Sequence, residues 1–332
     1  MVHRQRPTIY DVAQAAGVSI ATVSRVINSS DSVNPTTRKK VLEAIDRLGF
    51  VPRAEVRNHR LVARIGVIAP FFTAPSFVQR LRGISSALDP ASSELMIYTV
   101  NSQQQLEIHL SSLPLQRSLD GLIVISLSLS DEVVERLMAQ HLCTVLIESS
   151  HPRFSSVVID DREGGLLVGE YLIRKGHRRL AFFGISQKPD YAIFPERKRL
   201  DGFRQALQQA GMGLDELGCY DAPYTVEDNY RLALEIFAKP DRPSAVFAAT
   251  DLQAVGVIKA ARQLGLRIPG DVSVVGFDDL DLAGYLGLTT VSQQLDESGR
   301  TAVELLQDEL TNPGRSIRQI KLPLHFIERE TA

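Results

Sequence analysis

Tryptophan is absent from this 332-residue chain, and cysteine occurs only twice. Without tryptophan, indole fluorescence cannot report on folding. Cys143 and Cys219 lie far apart and lack the paired spacing of zinc or redox motifs, which excludes a disulfide framework and a cysteine-held metal. They are expected to be buried free thiols in a reducing cytoplasm. No apolar run reaches the length of a membrane span. The start, MVHRQRPTIYDV, has no apolar core of the kind a signal peptide needs, so a cytoplasmic protein is expected. There is no Gly-x-Ser-x-Gly elbow, no Gly-x-x-x-x-Gly-Lys-Ser/Thr phosphate loop and no metal-spaced His/Cys cluster. The seven histidines are scattered, and His177, in a Gly-His-Arg-Arg turn, reads as structural. An enzyme is therefore not expected, and neither is a metal or cofactor.

What is present begins at Thr8–Pro52, which reads as three short helices. Thr8 can cap the first, with Asp11 at the capping-box spacing, and Ile9, Val12 and Ala16 share its apolar face. Gly17 supplies a turn and Ser19 caps the second helix. Val23, Val26 and Ile27 fall on one side of that helix. Ile20, Ala21, Ser24, Arg25 and Asn28 fall on the other. Asn34 caps a third helix with Pro35 at its first position, Val41, Leu42, Ile45 and Leu48 form its apolar face, and Gly49 ends it.

Such a unit can place its second helix in a DNA major groove. Arg25 can bridge two acceptors on a guanine edge, Ile20 and Ala21 can meet thymine methyls, and Ser24 and Asn28 can bond bases or phosphates. The helix pattern alone suits a small three-helix bundle with a solvated face equally well. Charge tips the balance. Residues 1–62 carry ten Lys and Arg against five Asp and Glu, while the whole chain is formally −2, leaving about −7 on the remainder. A basic head on an acidic body suits a polyanion-binding head.

The runs Tyr10-Asp11-Val12-Ala13, Ala16-Gly17-Val18-Ser19 and Thr22-Val23-Ser24-Arg25-Val26-Ile27-Asn28 closely resemble the DNA-binding headpiece of the lactose/galactose repressor family of bacterial transcription regulators. The resemblance implies DNA contacts from Thr8, Tyr10, Ser19 and Thr22 beside the stripe already described. It also implies a hinge helix in the linker that folds on DNA, with a leucine from each of two hinges wedged between base pairs. Here the linker RAEVRNHRLVAR (Arg53–Arg64) is basic. Pro52 and Arg57 match the family, but Arg53 replaces its asparagine, His59 takes the wedge position and Leu61 lies two residues beyond. The linker is also about two residues short. Arg57 and His59 are expected to give basic minor-groove contacts with less kinking.

From Arg64 onward, apolar strand-like runs (Ile65–Ala69, Leu95–Val100, Gly121–Ser126, Thr144–Ile147, Leu180–Phe183, Ala245–Ala248, Val272–Phe277) alternate with helix-length stretches, the signature of parallel sheets covered on both faces. About 270 residues exceed one comfortable sheet, so two α/β lobes are expected. Asp120-Gly121-Leu122-Ile123, Gly176-His177-Arg178-Arg179, Arg199-Leu200-Asp201-Gly202-Phe203, Thr250-Asp251, Val274-Val275-Gly276-Phe277-Asp278-Asp279 and Leu288-Thr289-Thr290-Val291 resemble landmarks of the same family. The expected class is α/β: a helix-turn-helix headpiece at 1–52, a hinge at 53–63 and a two-lobed periplasmic-binding-protein-like core with parallel sheets at 64–332. Its N-lobe would span about 64–161 and 293–322, and its C-lobe about 162–292 and 323–332. No leucine heptad follows Arg329-Glu330, so a homodimer is expected in preference to a tetramer.

Ligands in such folds sit at the carboxyl ends of strands. Asp278 follows a strand-like run and could accept two hydroxyl hydrogen bonds, or merely cap a helix. Arg199 could fork onto vicinal hydroxyls, although residue reasoning alone makes it a surface arginine. Tyr224 could stack on a sugar ring or pack in its loop. Glu148 and Thr250 each follow a strand. The family resemblance implies effector contacts at Glu148, Arg199, Tyr224, Thr250 and Asp278. Where many relatives carry a polar Asp-x-Ser-Asn-Pro turn, this chain has Phe71-Phe72-Thr73-Ala74-Pro75, so Phe72 is expected to form an apolar lip.

The expected function is therefore a repressor that binds a pseudopalindromic double-stranded operator and is controlled by a small ligand, expected to be a sugar or sugar derivative. Induction and corepression use the same architecture. The alternatives are a ligand-independent DNA binder and a sugar-binding receptor without a regulatory role.

Overall fold

The computed structural model describes residues 7–28, 32–51, 62–184, 190–213, 217–223 and 225–332. The head is three helices, α1 (Ile9–Ala16), α2 (Ile20–Asn28) and α3 (Pro35–Leu48). Its punctuation follows the local chemistry. Thr8 and Asp11 form a reciprocal capping box, the Ser19 hydroxyl accepts from the Thr22 amide at 3.2 Å, and Asn34 caps α3 ahead of Pro35. Gly17 and Gly49 close α1 and α3 in the left-handed conformation. Val12, Val23, Val26, Val41 and Ile45 meet in one small core. Arg38 lies buried beside it, so the basic surplus of the head is not all on its surface.

The first lobe is built on β1 (Ala63–Pro70), β2 (Ser93–Val100), β3 (Gly121–Ile125), β4 (Cys143–Ile147) and β5 (Ser155–Val158). Helices α4 (Pro75–Ala87), α5 (Gln103–Gln116) and α6 (Asp131–Ala139) connect them. A late strand, β11 (Gln319–Lys321), completes a parallel six-stranded sheet in the order β11-β5-β4-β3-β1-β2. The second lobe has β6 (Leu180–Gly184), β7 (Leu217–Asp221), β8 (Ala245–Ala248) and β9 (Ser273–Val275), in the order β7-β6-β8-β9 and again parallel. Around them lie α7 (Asp161–Arg174), α8 (Pro195–Gln209), α9 (Val226–Phe237), α10 (Asp251–Gln263) and α11 (Asp281–Leu286). The chain crosses between lobes after β5, again between β10 (Thr290–Ser292) and α12 (Leu295–Thr311), and finally between β11 and β12 (His325–Ile327). Strand β10 pairs antiparallel with β12, and Thr331 reaches back to accept the Val274 amide.

Three sequence expectations need correction. The linker is shorter than Arg53–Arg64: β1 starts at Ala63, because Arg64 pairs with Glu94 of β2 and its amide donates to Asp120. The expected strand Val272–Phe277 is regular only at Ser273–Val275, beyond which the chain continues as isolated bridges towards Asp278. The thiols are not both buried. Cys143 is half-buried, and Cys219 is exposed because β7 is an edge strand. His177 is structural: its two ring nitrogens meet the hydroxyls of Ser244 and Ser273, each at 3.0 Å, tying two strand entries together.

The head is seated on the first lobe. Leu115 of α5 packs into the head's apolar core, the Gln140 amide donates to Phe50 O at 3.2 Å, and buried Arg136 donates to Asp46 at 2.6 Å.

Candidate functional site

Two faces of the molecule concentrate the residues singled out from the sequence. The first is on the head. Packing of Val23, Val26 and Ile27 into the core turns the opposite side of α2 outwards, and Ser19, Ile20, Ala21, Arg25 and Asn28 are all exposed there. Thr22 and Ser24 are partly covered. The Ser19 and Thr22 hydroxyls lie 2.9 Å apart, and the Asn28 amide donates to Ser24 at 3.4 Å. Arg25 has no hydrogen bond or ion pair among the described residues. Tyr10 and Thr8 are exposed on the adjoining α1. Arg57 and His59 lie outside the described residues.

The second face is the cleft between the lobes, a cavity of about 440 Å³. It gathers Phe72, Glu148, Arg199, Thr250 and Asp278, as the sequence led one to expect. Tyr224 lies outside the described residues. Four side chains reach the cavity from non-glycine positions with positive φ just beyond strand ends. They are Phe71 after β1 (49°), Ser126 after β3 (55°), Glu148 after β4 (65°) and Asp278 beyond β9 (124°). Such backbone is costly for a side-chain-bearing residue and concentrates where function fixes a geometry.

The polar groups form one continuous chain across both lobes. Ser126 and Arg80 donate to the Glu148 carboxylate. Arg80 Nη2 also donates to Gln293 Oε1 at 2.9 Å, and Gln293 Nε2 donates to Asp278 Oδ1 at 2.6 Å. Arg199 Nη1 stands 3.8 Å from Asp278 Oδ1 and donates to Ala249 O at 2.6 Å, while its Nε donates to Asp161 at 2.9 Å. Arg199 is therefore no surface arginine. Its guanidinium also stacks on Phe277, 3.7 Å from the ring centroid. The close crossing of α7 and α8 holds it there: a Cβ at Gly165 would stand 1.8 Å from Arg199 O, so only glycine permits the approach.

Charges so deep must be matched. Burial pushes the Asp278 carboxyl up to about 7, against the pull of Arg199 and Arg80. Neighbouring Asp251, fully buried and bonded to Thr290 and the Leu280 amide, is raised as well, by burial and by Asp278. Burial also raises Asp161, with Arg199 opposing. Burial would lower Arg199, but Asp161, Asp278 and Glu196 more than offset it. Thr250 contributes as the cap of α10, its hydroxyl engaged by Gln253.

Arg80, Ser126, Gln293 and Asp161 were missed by sequence reasoning. Arg80 had a signal: in Phe77–Leu88 it falls three residues after Phe77 and four before Ile84, a charge on an apolar face. Its Nε, buried, has no hydrogen-bond partner among the described residues. Gln293 had none. Among the described residues no group of His, Cys, Asp and Glu could hold a metal ion, and no helix is long and apolar enough to cross a membrane.

Known proteins share both faces. Residues 8–53 match bacterial regulatory proteins of the lacI family, and residues 170–332 match a periplasmic binding protein-like domain. Catabolite control protein A of Priestia megaterium is 32% identical over 329 residues, spanning 97% of each chain. The ribose operon repressor of Escherichia coli K12 is 32% identical over 335 residues, spanning 98% of this chain and 99% of its own. The solved complex of the transcriptional regulator CelR with cellobiose superposes with a TM-score of 0.70 at 30% identity, covering 98% of this chain and all of that one. The chain belongs to the lacI family of bacterial regulatory proteins and is a DNA-binding transcriptional regulator.

Proposed function

We propose that the protein is a cytoplasmic repressor that binds a pseudopalindromic operator as a homodimer and reads a small, sugar-like effector in its cleft. It has no catalytic role in this reading. The observation that carries it is the polar chain from Ser126 to Arg199, which links both lobes through side chains bordering one cavity. A ligand that exchanges hydrogen bonds with Glu148, Arg80, Asp278 and Arg199 alters how the lobes are tied. An effector acts only through such a difference between two states, commonly about 1–3 kcal/mol. Thr250 borders the site and Phe72 forms its lip. The cellobiose held by the CelR neighbour supports a carbohydrate effector. In the proposed division, residues 1–52 read DNA, the segment from 53 up to the start of β1 at Ala63 forms the hinge, and the two lobes beyond it bind the effector.

On DNA, Ile20, Ala21, Arg25 and Asn28 read base edges, while Thr8, Tyr10, Ser19, Thr22 and Ser24 position the head on phosphates. Arg57 and His59 enter the minor groove.

Selection of duplexes from a random pool by the full-length protein tests this. The expected product is two inverted half-sites around a fixed centre. Enrichment of a single, unrepeated half-site would overturn the dimeric reading. No enrichment, with or without a panel of sugars, would overturn operator binding itself.

A further inference from the structure

The cavity has two chemically distinct parts. One is the polar chain, in which each cation is already matched: Arg80 by Glu148, and Arg199 by Asp161 and Asp278. Glu196 adds a further buried carboxyl at the wall. Among the described residues, an anionic ligand such as a sugar phosphate would find both lining cations already paired and would meet the three lining carboxyl groups of Glu148, Glu196 and Asp278. A neutral polyol can instead donate to Glu148 and Asp278 and accept from Arg80, whose Nε lacks a partner among the described residues.

The other part is apolar. Phe71, Phe72, Pro75, Ile193, Leu252 and Leu280 line the same cavity and offer no charge. Phe71 is the telling residue. Its φ of 49° is costly for an aromatic residue, and the residue is 42% exposed. The fold thus holds a bulky apolar residue in a strained conformation at the cavity without burying it. The wall that includes Ile193 is tied to the first lobe: Ala192 bridges to Leu127, the Ile193 amide donates to Ser126 O, and Tyr191 packs into that lobe's core. A group resting on this part touches both lobes.

Building on the reading of the cleft as the effector site, we propose that its ligand is a neutral glycoside of at least two rings. One ring presents hydroxyls to Glu148, Asp278 and Arg80. The second, a further sugar or an aryl aglycone, lays its apolar face on Phe71 and Phe72. The cavity volume agrees, since about 440 Å³ exceeds the needs of a single pyranose and lies within the usual range for sites that enclose larger ligands.

The test is calorimetric titration of the full-length protein with matched sets. Each set comprises a monosaccharide, its nitrophenyl glycoside, disaccharides containing it, and its 6-phosphate. For the sugar that binds, a two-ring form is expected to bind at least about tenfold more tightly than the monosaccharide, the scale of one added ring-on-ring contact with its buried area. The phosphate is expected to bind more weakly than either. Phe71→Asn, which suits positive φ and therefore relaxes the backbone, should bring the two-ring to one-ring affinity ratio down towards one, and Phe72→Ser should do the same. A disaccharide preference identifies a sugar as the second ring, and a nitrophenyl preference an aryl group. Equal affinity for one-ring and two-ring forms, tightest binding of the phosphate, or a ratio unmoved in both variants would overturn the proposal while leaving a sugar effector in place. Failure of the whole panel to bind would overturn both.

Discussion

The reading face of α2 and the floor of the cleft both carry arginine, yet they treat it in opposite ways. Arg25 stands exposed and has no partner among the described residues, whereas Arg199 is buried against Asp161, Asp278, Ala249 O and the Phe277 ring. The contrast follows from the partners each face must meet. A surface that binds a polyanion gains from free, hydrated donors, because phosphates and base edges supply the missing acceptors and release counterions. A cleft cannot hold a cation out of water without a partner, so Arg80 and Arg199 are each set against carboxyl groups. The same side chain is therefore an instrument of recognition on one face and a structural member on the other.

Replacing each arginine should separate these roles. Arg199→Ala leaves Asp161 and Asp278 buried without their cation and is expected to cost about 3–5 kcal/mol of stability, read by chemical denaturation of the core. Because burial already raises both carboxyls, they can take up protons in the variant, so the loss should be smaller at pH 6 than at pH 8. A loss below about 1 kcal/mol at pH 8 would show that the cluster contributes little and would erase the contrast.

Arg25→Ala should leave stability nearly unchanged, since the side chain is exposed and has no hydrogen bond or ion pair among the described residues. Operator affinity is expected to fall by about 1–3 kcal/mol per half-site, the worth of a bidentate base contact. Fluorescence anisotropy with a labelled duplex would measure it. An equal fall on unrelated DNA would mean that Arg25 serves phosphates and not bases.

The two faces also differ in how far the sequence reveals them. The head is local: caps at Thr8, Ser19 and Asn34, stops at Gly17 and Gly49, and a 3.6-residue period decide which side of α2 is exposed within about forty residues. The cleft is assembled from strand ends far apart in the chain. Strand-end position pointed to Asp278, Glu148 and Thr250, but spacing alone makes Arg199 a surface residue. Its burial depends on the crossing of α7 and α8, a tertiary fact. Gln293, which joins Arg80 to Asp278, lies in a crossover with no periodic pattern, so nothing local marked it. The Cys219 expectation failed for a related reason: the sequence pattern marked no strand around it, and nothing local places Leu217–Asp221 at a sheet edge.

The smallest expected effect concerns protons. The Asp278 carboxyl, raised to about 7 from an ordinary value near 3.8, runs opposite to a typical paired carboxylate. The folded protein holds a proton there that the unfolded chain gives up near pH 4. Its contribution to stability is therefore present at low pH and is lost as the pH rises from about 4 through about 7. Ligand hydroxyls that donate to Asp278 bind its carboxylate more strongly than its neutral acid. Binding should release a proton, and ligand affinity should rise between pH 6 and pH 8, by less than about tenfold per unit. Asp278→Asn, isosteric and always neutral, should flatten that profile while weakening the ligand at every pH. A ligand affinity that is flat in the wild type, or that falls with pH, would mean that Asp278 meets the ligand as an acid, with its proton donated to a ligand oxygen.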